Sequence, residues 1–179
     1  LWARNAPGDL DAQRAAAIQL ARNGQYDESL VYMEKVLQGQ GDTHFDFLAL
    51  SAADTDENTR RGLLQSFERL LAKYPGNGQL IFGKALLMQQ DGNTEGALGL
   101  LEDNPPQEGE IAPILLRARL LAALDRGDEA MPLLEKNLKK IPDDKRLRLT
   151  YARMLVEQNR MDDAKVQFAT LVQQYPDDD

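Results

Sequence analysis

The chain has 179 residues, 42% of them hydrophobic, enough for one or two domains with a buried core. Acids outnumber bases 29 to 21, and the net charge of −8 opposes nucleic acid and anionic bilayers, which both demand a basic face. The absence of cysteine excludes a disulfide framework, a thiolate metal site and a cysteine nucleophile, and no apolar run approaches the roughly 18 residues of a membrane span.

At the amino end, "LWARNAPGD" shows no Met, no basic n-region and no cleavage site. Leu1, Trp2 and Ala3 read as the tail of a helix begun upstream. Residues 1–9 are therefore expected to end a preceding repeat in a longer protein, with any export or lipid signal outside this piece. Pro7, Pro75, Pro142 and Pro176 then lie 68, 67 and 34 residues apart, a spacing that marks stacked repeats of about 34 residues. The segments "FERLLAKYP" and "FATLVQQYP" recur in the same register. Units are predicted over 10–43, 44–77, 78–110, 111–144 and 145–178, forming one continuous solenoid.

Several columns support this register. Place eight holds Ala17, Ser51, Ala85, Ala118 and Ala152, all small, as required where two helices approach closely. Place twenty holds Ser29, Leu63, Ala97, Ala130 and Ala164, with Leu63 the exception. Place twenty-four is large and apolar throughout: Met33, Phe67, Leu101, Leu134 and Phe168. Place eleven is apolar except at Asp54, beside Leu20, Met88, Leu121 and Leu155. Each unit reads as two helices around a polar turn, such as "NGQYDE" in the first. Pro113 and Pro132 are expected in the first turns of their helices, where a missing N–H is harmless.

Other features carry little chemistry. "EDNPPQEGE" (102–110) should end the second helix of unit three about a turn early. "DTDEN" (54–58) begins like a calcium loop but fails at Thr59 and Gln65, so it reads as a polar turn. His44 is the one histidine and should sit at a helix start, with no metal or triad partner. No carboxylate pair stands out as an acid/base couple, so neither enzyme activity nor a cofactor or metal is expected.

The pattern of small-8, apolar-11, turn-15, small-20, aromatic-24 and Pro-32 resembles the tetratricopeptide repeat. "NGQYDESLVYMEKVL" and "RMDDAKVQFATLVQQYP" carry the resemblance most fully. It covers residues 10–178, although no unit has that family's Trp at place four, unit two lacks the turn glycine, and unit three is one residue short. The resemblance implies an all-α, right-handed superhelical solenoid whose first helices line a concave groove through places 2, 5, 9 and 12. Those places give Arg14, then Phe45 and Leu48, then Phe82, Leu86 and Gln89, then Leu115 and Arg119, and finally Arg146 and Arg153. An apolar middle flanked by arginines suits a peptide with hydrophobic side chains and a carboxylate. The Lys/Asn clamp of the family's chaperone-binding subgroup is missing, which argues against the same chaperone tails.

The stretch "LWARNAPGDLDAQRAAAIQLARNGQYDESLVYMEKVLQG" also resembles a narrower group, the periplasmic tetratricopeptide lipoproteins of Gram-negative bacteria such as pseudomonads. That resemblance implies an outer-membrane-anchored adaptor presenting substrates to a carboxy-terminal-processing protease. The expected function is thus a protein-binding scaffold or adaptor, with a cytoplasmic location and an architectural spacer as alternatives. An RNA-binding repeat is opposed by the acidic charge. At the other end Phe168, Leu171, Val172 and Tyr175 are expected to lie uncovered, leaving this end open to self-association.

Overall fold

The computed structural model describes residues 8–41 and 43–177. Among these the regular elements are all α-helices: α1 Leu10–Arg22, α2 Tyr26–Gln38, α3 Phe45–Ser51, α4 Glu57–Lys73, α5 Gly78–Gln90, α6 Thr94–Asp103, α7 Ala112–Ala123, α8 Gly127–Lys140, α9 Lys145–Glu157 and α10 Met161–Gln174. Leu1–Ala3, read above as a helix tail, lie outside the described residues. The helices gather into two compact units that part between Asn104 and Pro105.

Local chemistry sets the helix starts. The carboxylate of Asp9 accepts from the Asp11 and Ala12 amides, at 2.9 and 3.2 Å, and caps α1. Asp56, Asn77, Asn93 and Asp144 cap α4, α5, α6 and α9 in the same way, satisfying amides that have no partner within the helix. His44 does occupy the position before α3, but its side chain makes no capping bond. "DTDEN" is a turn whose Asp56 serves the helix that follows. Pro105 and Pro106 follow α6, a helix of 10 residues.

The turn inside each pair also has a fixed geometry. Place fifteen takes left-handed backbone at Gly24 (φ 78°), Gly92 (84°), Asp125 (57°) and Asn159 (59°). Asp and Asn tolerate this region better than other side chains do, so two units make the turn without glycine there. Past the turn the two helices of a pair meet at places eight and twenty. Ser29 Oγ donates to the Ala17 carbonyl at 2.6 Å, a contact that only small residues permit. Ala85 and Ala97 are fully buried in the first compact unit, as are Ala118, Ala130, Ala152 and Ala164 in the second.

The pair α3/α4 departs from this plan. Place fifteen is Asn58, already inside α4, so no left-handed turn forms. Asp54, the odd residue in column eleven, lies beyond the end of α3 in that segment. Leu63 stands where the other units have a small side chain. Accordingly α3 and α4 approach each other less closely than the helices of any other pair, and α3 packs chiefly on α5. Phe45 and Phe67 fill the junction edge to face, with ring centroids 5.7 Å apart. Gly83 of α5 lies against the Cβ and backbone of Phe45 and against the Phe67 ring.

In the second compact unit α7 packs on α8, α8 on α9, and α9 on α10. Pro132 corrects an expectation: it is the sixth residue of α8, in the helix interior and not in its first turn. The missing N–H leaves the Asp128 carbonyl without its helical donor. Pro132 is exposed and close to the helix start, so the helix continues through it.

Two glycine substitutions should therefore have opposite signs. A Cβ at Gly83 would lie 2.9 Å from both Phe45 Cβ and Phe67 Cε1, whereas one at Gly62 meets nothing within 4 Å. Gly83→Ala is expected to destabilise by about 1–3 kcal/mol through overpacking. Gly62→Ala in exposed α4 should stabilise by about 0.5–1 kcal/mol. Urea unfolding checks both, and equal midpoints for the two variants would refute the close approach.

Candidate protein-binding surfaces

In the first compact unit the residues read as a groove separate into core and surface. Phe45 and Leu48 are 1% and 0% exposed. They face the α3/α5 junction and offer no surface to a ligand, which corrects their reading as groove anchors. Leu86 is also buried, while Phe82 and Gln89 are half-buried on α5. Arg14 is held by Asp11 one turn back, at 3.0 Å. Gln79, at place two of the same unit, is structurally committed: its Oε1 accepts from the Thr43 amide at 2.7 Å. That bond ties the residue before α3 to α5.

The second compact unit holds the freer cations. Leu115 is buried, and Arg119, one turn on, is exposed and donates only weakly to the Leu115 carbonyl, at 3.4 Å. Arg146, Leu149 and Arg153 follow one another at helical spacing along a single face of α9. Arg146 has a loose contact with Asp144 at 3.6 Å, and Arg153 is exposed without an ion pair among the described residues. Arg119 and Arg153 occupy the same repeat position on α7 and α9, which pack together. A short cationic surface with an aliphatic residue inside it thus stands on a chain of net charge −8. Such guanidinium groups can grip a carboxylate through paired hydrogen bonds.

The orientation of α9 is fixed from behind. Tyr151 is buried against α8 and donates its phenol to Glu135 Oε1 at 2.9 Å. On α10 only Ala164 is buried, whereas Val166, Phe168 and Val172 remain exposed, the last at 68%.

Column reading missed a further feature, a seam between α2 and α4. It contains one cleft of about 360 Å³ over Leu30 and Leu70 and a second of about 410 Å³ toward the helix starts, with Asp27 lining both. The signal was present in unit two as Asp54, Asn58 and Leu63, the three residues that break the repeat columns. Among the described residues no group of His, Asp or Glu is arranged to hold a metal, and no helix is long and apolar enough to cross a membrane.

Residues 121–179 match the family model described as tetratricopeptide repeat. A thermophilic TPR protein of Thermus thermophilus superposes with a TM-score of 0.65 at 22% identity, covering 95% of this chain and 93% of that one. A MamA variant superposes with a TM-score of 0.52 at 22% identity, covering 92% and 96%. The fold is a tetratricopeptide-repeat solenoid. A TPR repeat-containing protein of Pseudomonas aeruginosa is 72% identical over 152 residues, which is 85% of this chain and 26% of that protein. This chain therefore spans about a quarter of that relative's length. Tetratricopeptide repeats are in general protein-binding modules without catalytic groups of their own.

The bond that fixes α9 behind the arginines has a pH signature. Burial first, and then the hydrogen bond to Glu135, push the Tyr151 phenol up from 10.0 to about 12. The folded state favours the protonated phenol. Its contribution is therefore complete below the unfolded value of 10.0 and is lost as pH rises toward about 12. An alkaline absorbance titration should show a late tyrosine phase that Tyr151→Phe removes. A variant with the same titration as the parent would refute the bond.

Proposed function

We propose that this chain binds a protein partner through its first-helix surfaces, with Arg119, Arg146 and Arg153 as the principal contacts. Phe82 and Gln89 form a second, more apolar contact surface on α5, over the buried Leu86. The observation that carries this reading is the exposed arginine face of α9, whose carboxylate contact among the described residues is the loose one of Arg146 with Asp144 at 3.6 Å, although acids outnumber bases across the chain. Arginine beside an aliphatic residue is a recurrent anchor in protein interfaces, and cations stripped of local partners are available to acids of another chain. The ligand that fits is a peptide segment carrying a carboxylate next to apolar side chains.

The finer reading is an adaptor that brings a carboxy-terminal-processing protease together with its substrates at the periplasmic face of an outer membrane. Its support is the amino-terminal sequence resemblance, together with 72% identity to a Pseudomonas aeruginosa relative over 152 residues. Such an adaptor must hold two proteins at once, and a chain with separate apolar and cationic contact surfaces can do so. Anchoring and export then belong to parts of the full-length protein outside this segment.

The test is affinity capture from pseudomonad periplasmic extract, with Arg146→Glu/Arg153→Glu and Phe82→Glu compared against the parent chain. The arginine variant should lose a retained protein by about tenfold or more, at unchanged helical content. A protease among the retained proteins would support the adaptor reading. Retention that is identical for all three chains would remove the function from these faces.

A further inference from the structure

The seam between α2 and α4 lies on second helices of the first compact unit, and its chemistry is ordered along its length. At one end stand two acids, Asp27 and the α4 cap Asp56. Donation from the Thr59 amide to Asp56 holds that carboxyl below its usual range, so it stays charged. In the middle Leu30 and Leu70 form a floor, 6% and 7% exposed, and Val31 rises from its edge at 55%. One step further Arg69 lies over the cleft, its single polar contact among the described residues being the Ser66 hydroxyl at 2.8 Å. The far end is closed by Lys73 bound to Glu34 at 3.1 Å, with the Tyr74 hydroxyl donating to the same carboxylate at 3.3 Å.

We infer that this seam is a docking site for an amphipathic helix of a partner protein, lying antiparallel to α2 and α4. Three arguments converge on a helix of one polarity. Asp27, Leu30, Val31 and Glu34 form one ridge, and Ser66, Arg69, Leu70 and Lys73 form the other. A groove between two helical ridges accepts a third. From Thr59 to Lys73 α4 rises about 21 Å, the length of a helix of about 14 residues. An extended strand would find few partners for its backbone on a floor of leucines, whereas a helix satisfies its own amides and carbonyls. Charge then sets direction. An occupant with an acid in its first turn facing Arg69 and a base in its last turn facing Asp27 and Asp56 also complements its own dipole.

The seam exists because α4 is not drawn onto α3 as other second helices are drawn onto their partners. Leu63 in place of a small residue and the missing left-handed turn relax that contact. The irregular unit two thus brings two second helices into contact, with the clefts lying between them.

The probe is a fluorescein-labelled 14-residue synthetic helix with Glu in its first turn, a leucine stripe, and Lys in its last turn. A second peptide exchanges Glu and Lys, and a third replaces the leucines with Gln. Fluorescence anisotropy against the whole chain should show saturable binding of the first peptide and about tenfold weaker binding of the other two. Val31→Asp should abolish binding. Asp27→Lys/Arg69→Glu should reverse the preference between the two charged peptides, with circular dichroism unchanged. Arg146→Glu/Arg153→Glu should leave the titration untouched, which separates this site from the one under "Proposed function". Equal binding of both charge arrangements, binding that survives Val31→Asp, or no saturation by about 1 mM peptide would each overturn the inference.

Discussion

The structure depends on how closely two helices of a pair can approach. An alanine or serine at places eight and twenty lets the backbones come near enough for Ser29 to reach the Ala17 carbonyl. Once that approach is set, the apolar residues at other places have no choice but to fill the layer between successive pairs. Met33 and Leu134 are fully enclosed for this reason. The capping residues and left-handed turns set the helix ends, but they do not determine packing. A larger residue at either small place changes which helices touch, and Leu63 shows what then happens. There α3 turns to α5, where the backbone and Cβ of Phe45 lie against Gly83 and the Phe67 ring of α4 closes on both.

Helix geometry also explains how an acidic chain can present a basic surface. Side chains seven residues apart share a face, so Arg146 and Arg153 flank Leu149 whatever the sum of charges elsewhere. The acids of the same compact unit are spent locally. Glu135 accepts from Tyr151, and Glu129 and Asp163 hold Arg126 and Arg160. What remains on α9 is cationic because its neighbours have already found partners, not because the chain is basic. A negative net charge therefore opposes nucleic acid as a partner without forbidding a local site for an acidic peptide.

Much of this was legible in the columns. The helix pairs, the small contact places and the apolar place twenty-four need only periodicity, since each reports one contact made again and again. Burial at places 2 and 5 of unit two was not legible. Phe45 and Leu48 stand at groove positions by register, yet α3 is only 7 residues long and rests on α5, which closes over them. A short helix cannot keep one face for its partner and another for a ligand. Pro132 falls inside the helix because Asp125 makes the turn before α8, and the helix begins at Gly127, five residues ahead of the proline.

The misfit columns prove to be as informative as the matching ones. Asp54, Asn58 and Leu63 each break a column, and each removes one constraint on the α3/α4 pair: the length of α3, the turn, and the close approach. Loss of any single constraint would be absorbed by the other two. Loss of all three leaves α4 less closely applied to α3 and in contact with α2, and the seam between them carries Asp27 and Arg69 among its lining residues. In a stacked-repeat chain, departures that accumulate in one unit are therefore the places where a second binding surface can arise without any change to the first.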